Sequence, residues 1–138
     1  MKIDTPEFQN ALKAIAQKYD LRLVILFGSA ARRGIEQAND IDLAVSGSPE
    51  LYSTERFFRL SDELEALFEP SRKEIDLVPI KTEDPVLLSQ IAEDGQLLYE
   101  AFPDAFSRLK LFARFFRDDQ ARFFEGQLEK LQKELHAL

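Results

Sequence analysis

The sequence predicts a small α/β domain: a mixed sheet with helices packed on one face, followed by a C-terminal helical extension. Three observations carry this reading. Short apolar runs at 21–27, 41–45, 74–80 and 96–100 alternate with longer segments whose apolar residues recur every three or four positions, the periodicities of strand and amphipathic helix. The chain has 138 residues, 45% hydrophobic and 31% charged, with no Trp and only 5 Gly, which fits one compact domain. Beyond Phe102 the composition shifts, with seven of the 12 Phe falling in 102–124 and leucines crowding the end.

Taken in order, residues 6–18 place Phe8, Leu12, Ile15 and Ala16 on one helical face behind a Thr5-Pro6 start, with Glu7 in the first turn. LRLVILF (21–27) is β-branched, apolar and stopped by Gly28-Ser29, so it predicts a strand buried on at least one face. ARRGIEQAN is a polar connector with a helical turn at Ser29–Arg32, and IDLAV (41–45) is the second strand, closed by SGSPE. Residues 53–68 carry Phe57, Leu60, Leu64, Leu67 and Phe68 on one face, with Ser53 or Thr54 as cap and Pro70 as the stop. EIDLVPI (74–80) is the third strand, and Pro79 marks its end or an edge position. A helix over 84–93 begins at Asp84-Pro85, Gly95 sits as its C′ residue, and QLLYE (96–100) is the fourth strand.

In the extension, Phe102, Phe106, Leu109, Phe112 and Phe116 recur at helical spacing, and Phe124, Leu128, Leu131, Leu135 and Leu138 follow 4-3-4-3 steps. Asp118-Asp119 or Gly126 marks a bend between the two stretches. As one helix, 104–137 would span ~50 Å, longer than the ~30 Å diameter of a small domain. Part of it must therefore fold back or meet another chain, and the Phe and Leu stripe points to a homo-oligomer or a protein partner.

Composition excludes several classes of function. With no Cys there is no thiolate zinc site, thiol nucleophile or disulfide framework, and a reducing compartment, the cytoplasm, is expected. The net charge of −7 is uneven: 1–103 hold 11 Lys and Arg against 19 Asp and Glu, and 104–138 hold 7 against 6. Such a surface repels a phosphate backbone, so generic nucleic-acid binding is not expected. No apolar run nears the ~20 residues of a membrane span, and the start lacks the basic-then-apolar pattern of a signal peptide. His136, two residues from the end, reads as a solvated helix-end residue, and without another His Ser29 has no partner for hydrolase chemistry.

Two strands share the tripeptide Ile-Asp-Leu, at 41–43 and 75–77. Asp40 and Asp42 stand two apart and so emerge on one face, and pairing the two tripeptides in register brings Asp76 beside them. Like charges ~4 Å apart repel by ~1 kcal/mol in water and ~4 kcal/mol at an effective dielectric of 20. A fold avoids that unless something positive fills the gap, and an all-oxygen site suits Mg²⁺ or Mn²⁺ with substrate phosphates. Directly upstream, Gly28 permits close backbone approach, Ser29 adds a hydroxyl and an amide, and a helix starting there aims free N–H groups at an anion. Arg32 and Arg33 add positive charge, although the loop is neither a Walker A sequence nor GxGxxG.

Gly28-Ser29-Ala30-Ala31-Arg32, then Asp40-x-Asp42, then Asp76 resembles the nucleotidyltransferases of the DNA polymerase beta superfamily, and in particular the MNT (minimal nucleotidyltransferase) proteins. The resemblance covers about residues 8–100 and includes Ile91–Gly95 and Leu97–Glu100. Arg33 stands where the family often has Gly, and Asn39 where Ser commonly precedes the first Asp; neither departure removes a carboxylate. The resemblance implies a nucleotidyltransferase domain, taken as 1–103, and the apolar stripe beyond it makes 104–138 an amphipathic helical tail expected to serve association. The resemblance also implies a Mg²⁺-dependent enzyme (Mn²⁺ as alternative) that moves AMP from ATP to a hydroxyl. Asp40 and Asp42 would hold metal on the triphosphate, Gly28, Ser29 and Arg32 would contact the phosphates, and Asp76, with a second metal ion, would take the acceptor proton. The implied acceptor is a HEPN-domain toxin, which makes the chain an antitoxin. Transfer to a small molecule, or an antitoxin that acts by binding alone, are the alternatives.

Overall fold

The computed structural model describes residues 1–81, 83–117 and 125–137. Its elements run α1 (Pro6–Lys18), β1 (Leu21–Phe27), α2 (Gly28–Arg33), β2 (Ile41–Gly47), α3 (Thr54–Leu67), β3 (Ile75–Pro79), α4 (Pro85–Asp94), β4 (Gln96–Glu100), α5 (Ala105–Arg117) and α6 (Glu125–His136). Helix starts follow side-chain chemistry: Thr5 accepts from Phe8 N at 3.2 Å and Asp84 from Leu87 N at 3.1 Å, each with Pro in the first turn. The sheet order is β3-β2-β1-β4, with β1 antiparallel to β2 and β4 and β2 parallel to β3. It is therefore mixed, as expected, and Pro79 ends an edge strand whose outer side needs no ladder donor.

Helices cover both faces, which corrects the expectation of a single covered face. Val24, Leu26, Leu43 and Val45 pack with α1 and α3, through Leu12, Ala16, Leu60 and Leu64. Leu23, Ile25, Phe27 and Ala44 point the other way and pack with Leu88 and Ile91 of α4 and with α5. The physical reason lies in β1: apart from Arg22, both of its alternating side-chain sets are apolar and buried, so neither face can be left to water.

The extension also joins this second core. Ala105, Phe106, Leu109, Phe112 and Ala113 of α5 are buried in it, and Leu131 and Leu135 of α6 pack against it. The chain folds back, as helix length demands: Arg108 donates to Glu134 at 3.4 Å and Arg22 to the His136 carbonyl at 3.0 Å. Gly126 lies within α6 rather than at a bend, while Asp118-Asp119, Phe124 and Leu138 fall outside the described residues. Gly95 differs from expectation as well. Its backbone is extended (φ −63°) rather than left-handed, and its lack of a side chain matters because a Cβ would run into the Ile91 carbonyl and crowd Ile25. No helix among the described residues is long and apolar enough to cross a membrane.

Candidate active site

The site forms where β1 ends and β2 and β3 begin. Phe27 pairs with Asp42 across the antiparallel β1–β2 ladder, and Asp42 pairs with Asp76 across the parallel β2–β3 ladder. The second pairing is the in-register match of the two Ile-Asp-Leu tripeptides. Asp42 shares the parity of Ala44, and Asp76 that of Val78, so both carboxylates project toward the face covered by α4. Coverage of that second face gives the site its far wall.

Gly28 turns the chain out of β1 with φ +69°, a conformation that favours glycine. A Cβ on it would run into the Asp42 carboxylate, so the backbone of α2 and the carboxylate share a space only glycine leaves open. Phe27 precedes α2 and makes no side-chain capping bond, and the first-turn N–H groups of a helix have no partner within it. Gly28, Ser29, Arg32, Asp42 and Asp76 line one cleft of about 670 Å³. Five of the six predicted site residues are thus brought together.

Asp40 is placed differently. It lies in a bend immediately before β2 rather than on the strand, is exposed, and does not line the cleft. It is still near enough to act on Asp42, whose carboxyl is raised from its ordinary value by burial first and then by Asp76 and Asp40, with Arg32 pulling it down. Among the described residues, no three acidic or imidazole side chains are already gathered closely enough to hold a metal ion. The donor chemistry nevertheless fits one: a half-buried carboxylate flanked by two others is relieved by a hard cation. Arg32 also donates to Asp94 at 3.1 Å, which ties α2 to the end of α4 and occupies part of its charge.

Sequence reasoning missed the opposite wall. Lys81, Asp84, Gln90, Val86 and Leu87 line the cleft from the segment after β3 and the first two turns of α4, and Val86 is 67% exposed there. Asp84 and Pro85 signalled a helix start, but nothing local indicated that this start faces the carboxylates. A second, more apolar groove of about 360 Å³ lies between the sheet and the α5–α6 pair and shares Pro79 and Lys81 with the cleft. None of the predicted site residues lines it, so the chemistry belongs to the first.

With this geometry in place, the chain matches the family described as Polymerase beta, Nucleotidyltransferase over residues 10–103. No curated protein matches it. Among solved structures it is similar to a toxin–antitoxin complex with AMP-PNP (20% identity, TM-score 0.62, covering 90% of this chain and 98% of the other). It is also similar to an MNT antitoxin complex with tri-AMPylated Shewanella oneidensis HEPN toxin (19% identity, TM-score 0.56, 90% and 95% covered). A third likeness is to the toxin–antitoxin MntA–HepT (18% identity, TM-score 0.56, 90% and 96% covered). At these identities the likenesses concern the fold.

Proposed function

The chain belongs to the Polymerase beta nucleotidyltransferase family, and from that premise we propose that it transfers AMP from ATP to a hydroxyl of a HEPN-type toxin, as the antitoxin of a pair. The observation that carries this reading is the in-register pairing of Asp42 with Asp76 in a cleft whose facing wall is the uncapped first turn of α2. A nucleotide-bound structural neighbour and an AMPylated-toxin neighbour support the substrate and the acceptor.

In this reading Asp40 and Asp42 hold Mg²⁺ or Mn²⁺, and Gly28 and Ser29 offer amide and hydroxyl donors to the phosphates. Bound metal supplies charge neutralisation at the triphosphate. Asp76 accepts the acceptor proton, the freed oxygen bonds to the α-phosphorus, the bond from that phosphorus to its bridging oxygen breaks, and pyrophosphate leaves. Arg32 stands at the cleft rim as a phosphate contact that must exchange part of its Asp94 pairing. The absence of Cys supports a cytoplasmic setting, and residues 104–138 serve association as well as packing.

The test is label transfer from α-labelled ATP, with Mg²⁺, to a HEPN toxin. Label on the toxin with the wild-type chain, and none with Asp76→Asn, is expected. Tight complex formation without label would replace catalysis by inhibition through binding alone.

A further inference from the structure

We propose that Lys73 is a positioning residue that clamps the 35–38 loop and thereby sets Asp40 beside Asp42; this rests on the reading of Asp40 and Asp42 as the metal-holding pair. The need for such a residue follows from the ladder. Asp42 and Asp76 are held in register by strand pairing, whereas Asp40 precedes β2 and is held by no strand. The loop that carries it runs from α2 and has few bonds of its own, Gln37 N to Gly34 O at 3.2 Å and Ala38 N to Ile35 O at 3.4 Å.

Lys73 supplies what the loop lacks. Its ammonium donates to the carbonyl oxygens of Ile35 at 2.6 Å and Glu36 at 2.7 Å, and also to that of Ala38. An ammonium has three donors, and three loop carbonyls take them. Ile35 and Ala38 are buried, so two of these carbonyls belong to residues largely withdrawn from water, where Lys73 supplies a donor to each. The next residue continues the clamp, because Glu74 O accepts from Ile41 N at 2.9 Å on the other side of Asp40. Since β3 begins at Ile75, the two residues before it fix Asp40 from both directions while the strand itself fixes Asp76 against Asp42. One short segment thus aligns all three carboxylates. A planar guanidinium cannot reproduce three convergent bonds from a single nitrogen, so arginine should restore only part of the effect.

Lys73→Met keeps the apolar stem and removes the donors. Two measurements on the full chain test the proposal: amide hydrogen exchange through residues 37–41, and Mn²⁺ affinity with a non-hydrolysable ATP analogue by calorimetry. Exchange should quicken by about tenfold or more, Mn²⁺ affinity should fall by about 10- to 100-fold, the range for residues that orient metal ligands, and Lys73→Arg should lie between. Unchanged exchange would show that no clamp exists. Faster exchange with wild-type Mn²⁺ affinity would show a structural staple that does not position Asp40. A wild-type chain that binds neither Mn²⁺ nor the analogue would overturn the carboxylate reading itself, and the proposal with it, whatever the exchange data show. Should Lys73→Met fail to fold, Lys73→Arg and Lys73→Gln carry the same two measurements.

Discussion

Gly28 and Asp42 stand so close that a Cβ on the glycine would overlap the carboxylate. The same glycine holds φ +69°, so two independent constraints fall on one residue. Gly28→Ala should cost about 1–3 kcal/mol from the left-handed backbone alone, and the new methyl must also push Asp42 or the start of α2 out of place. Urea unfolding should show the stability loss, and an ATP titration should show affinity falling with it. Wild-type values in both would mean that the contact relaxes freely.

Asp42 gives the site its pH dependence. Burial first, and then Asp76 and Asp40, raise its carboxyl above the ordinary value, so its ionised form is penalised in the metal-free fold. A group raised on folding contributes stability fully below its unfolded pKa and loses it as pH rises through the folded one. Asp42→Asn should therefore raise the melting temperature of the metal-free protein at neutral pH, with the gain shrinking in acid, while abolishing Mn²⁺ binding. In the wild type, Mn²⁺–nucleotide affinity should fall in acid with a midpoint shifted up from that of an ordinary aspartate, and Asp76→Asn should move that midpoint down. Melting curves and calorimetry across pH decide both.

The site was legible where it depends on local pattern. Period-two spacing and a repeated tripeptide were enough to put Asp42 against Asp76, because a parallel register obeys the apolar sequence on both strands. The α2 turn was legible because Gly28-Ser29 stops a buried strand and Ala30, Ala31 and Arg32, good helix formers, follow it. Lys81, Val86 and Gln90 were hidden, since what brings α4 over the carboxylates is burial of the second face of β1, a tertiary event with no local signature. The same event turned the start of the expected appendage into core: the periodicity of Phe106, Leu109 and Phe112 marks an apolar face without saying what covers it. Lys73 was equally silent, because a lysine in a loop reads as solvated until its three carbonyl partners are seen.

Binding and transfer should separate by residue. The Asp40→Asn/Asp42→Asn double variant removes the anionic donors for metal, so calorimetry should show Mg²⁺-dependent ATP affinity falling by about tenfold or more. Asp76→Asn should leave that affinity within a few-fold and lower label transfer by about 10²-fold or more, the contribution of a positioned base. Equal losses of binding in both variants would place Asp76 among the triphosphate contacts instead.

The extension divides between its two helices. Phe112 is only 2% exposed and Leu109 1%, so Phe112→Ala should cost about 3–5 kcal/mol although it lies outside the family match at 10–103. Cutting the chain after residue 103 would strip α5 from the second core, and that truncated protein should fail to unfold cooperatively. Removal of residues 125–138 is gentler, because Leu131 and Leu135 are only partly buried against that core. If α6 serves association, the shortened chain should keep its ATP titration and lose self-association or toxin binding by light scattering. A full-length chain that stays monomeric at high concentration and a shortened chain that still captures the toxin would together assign α6 to packing alone.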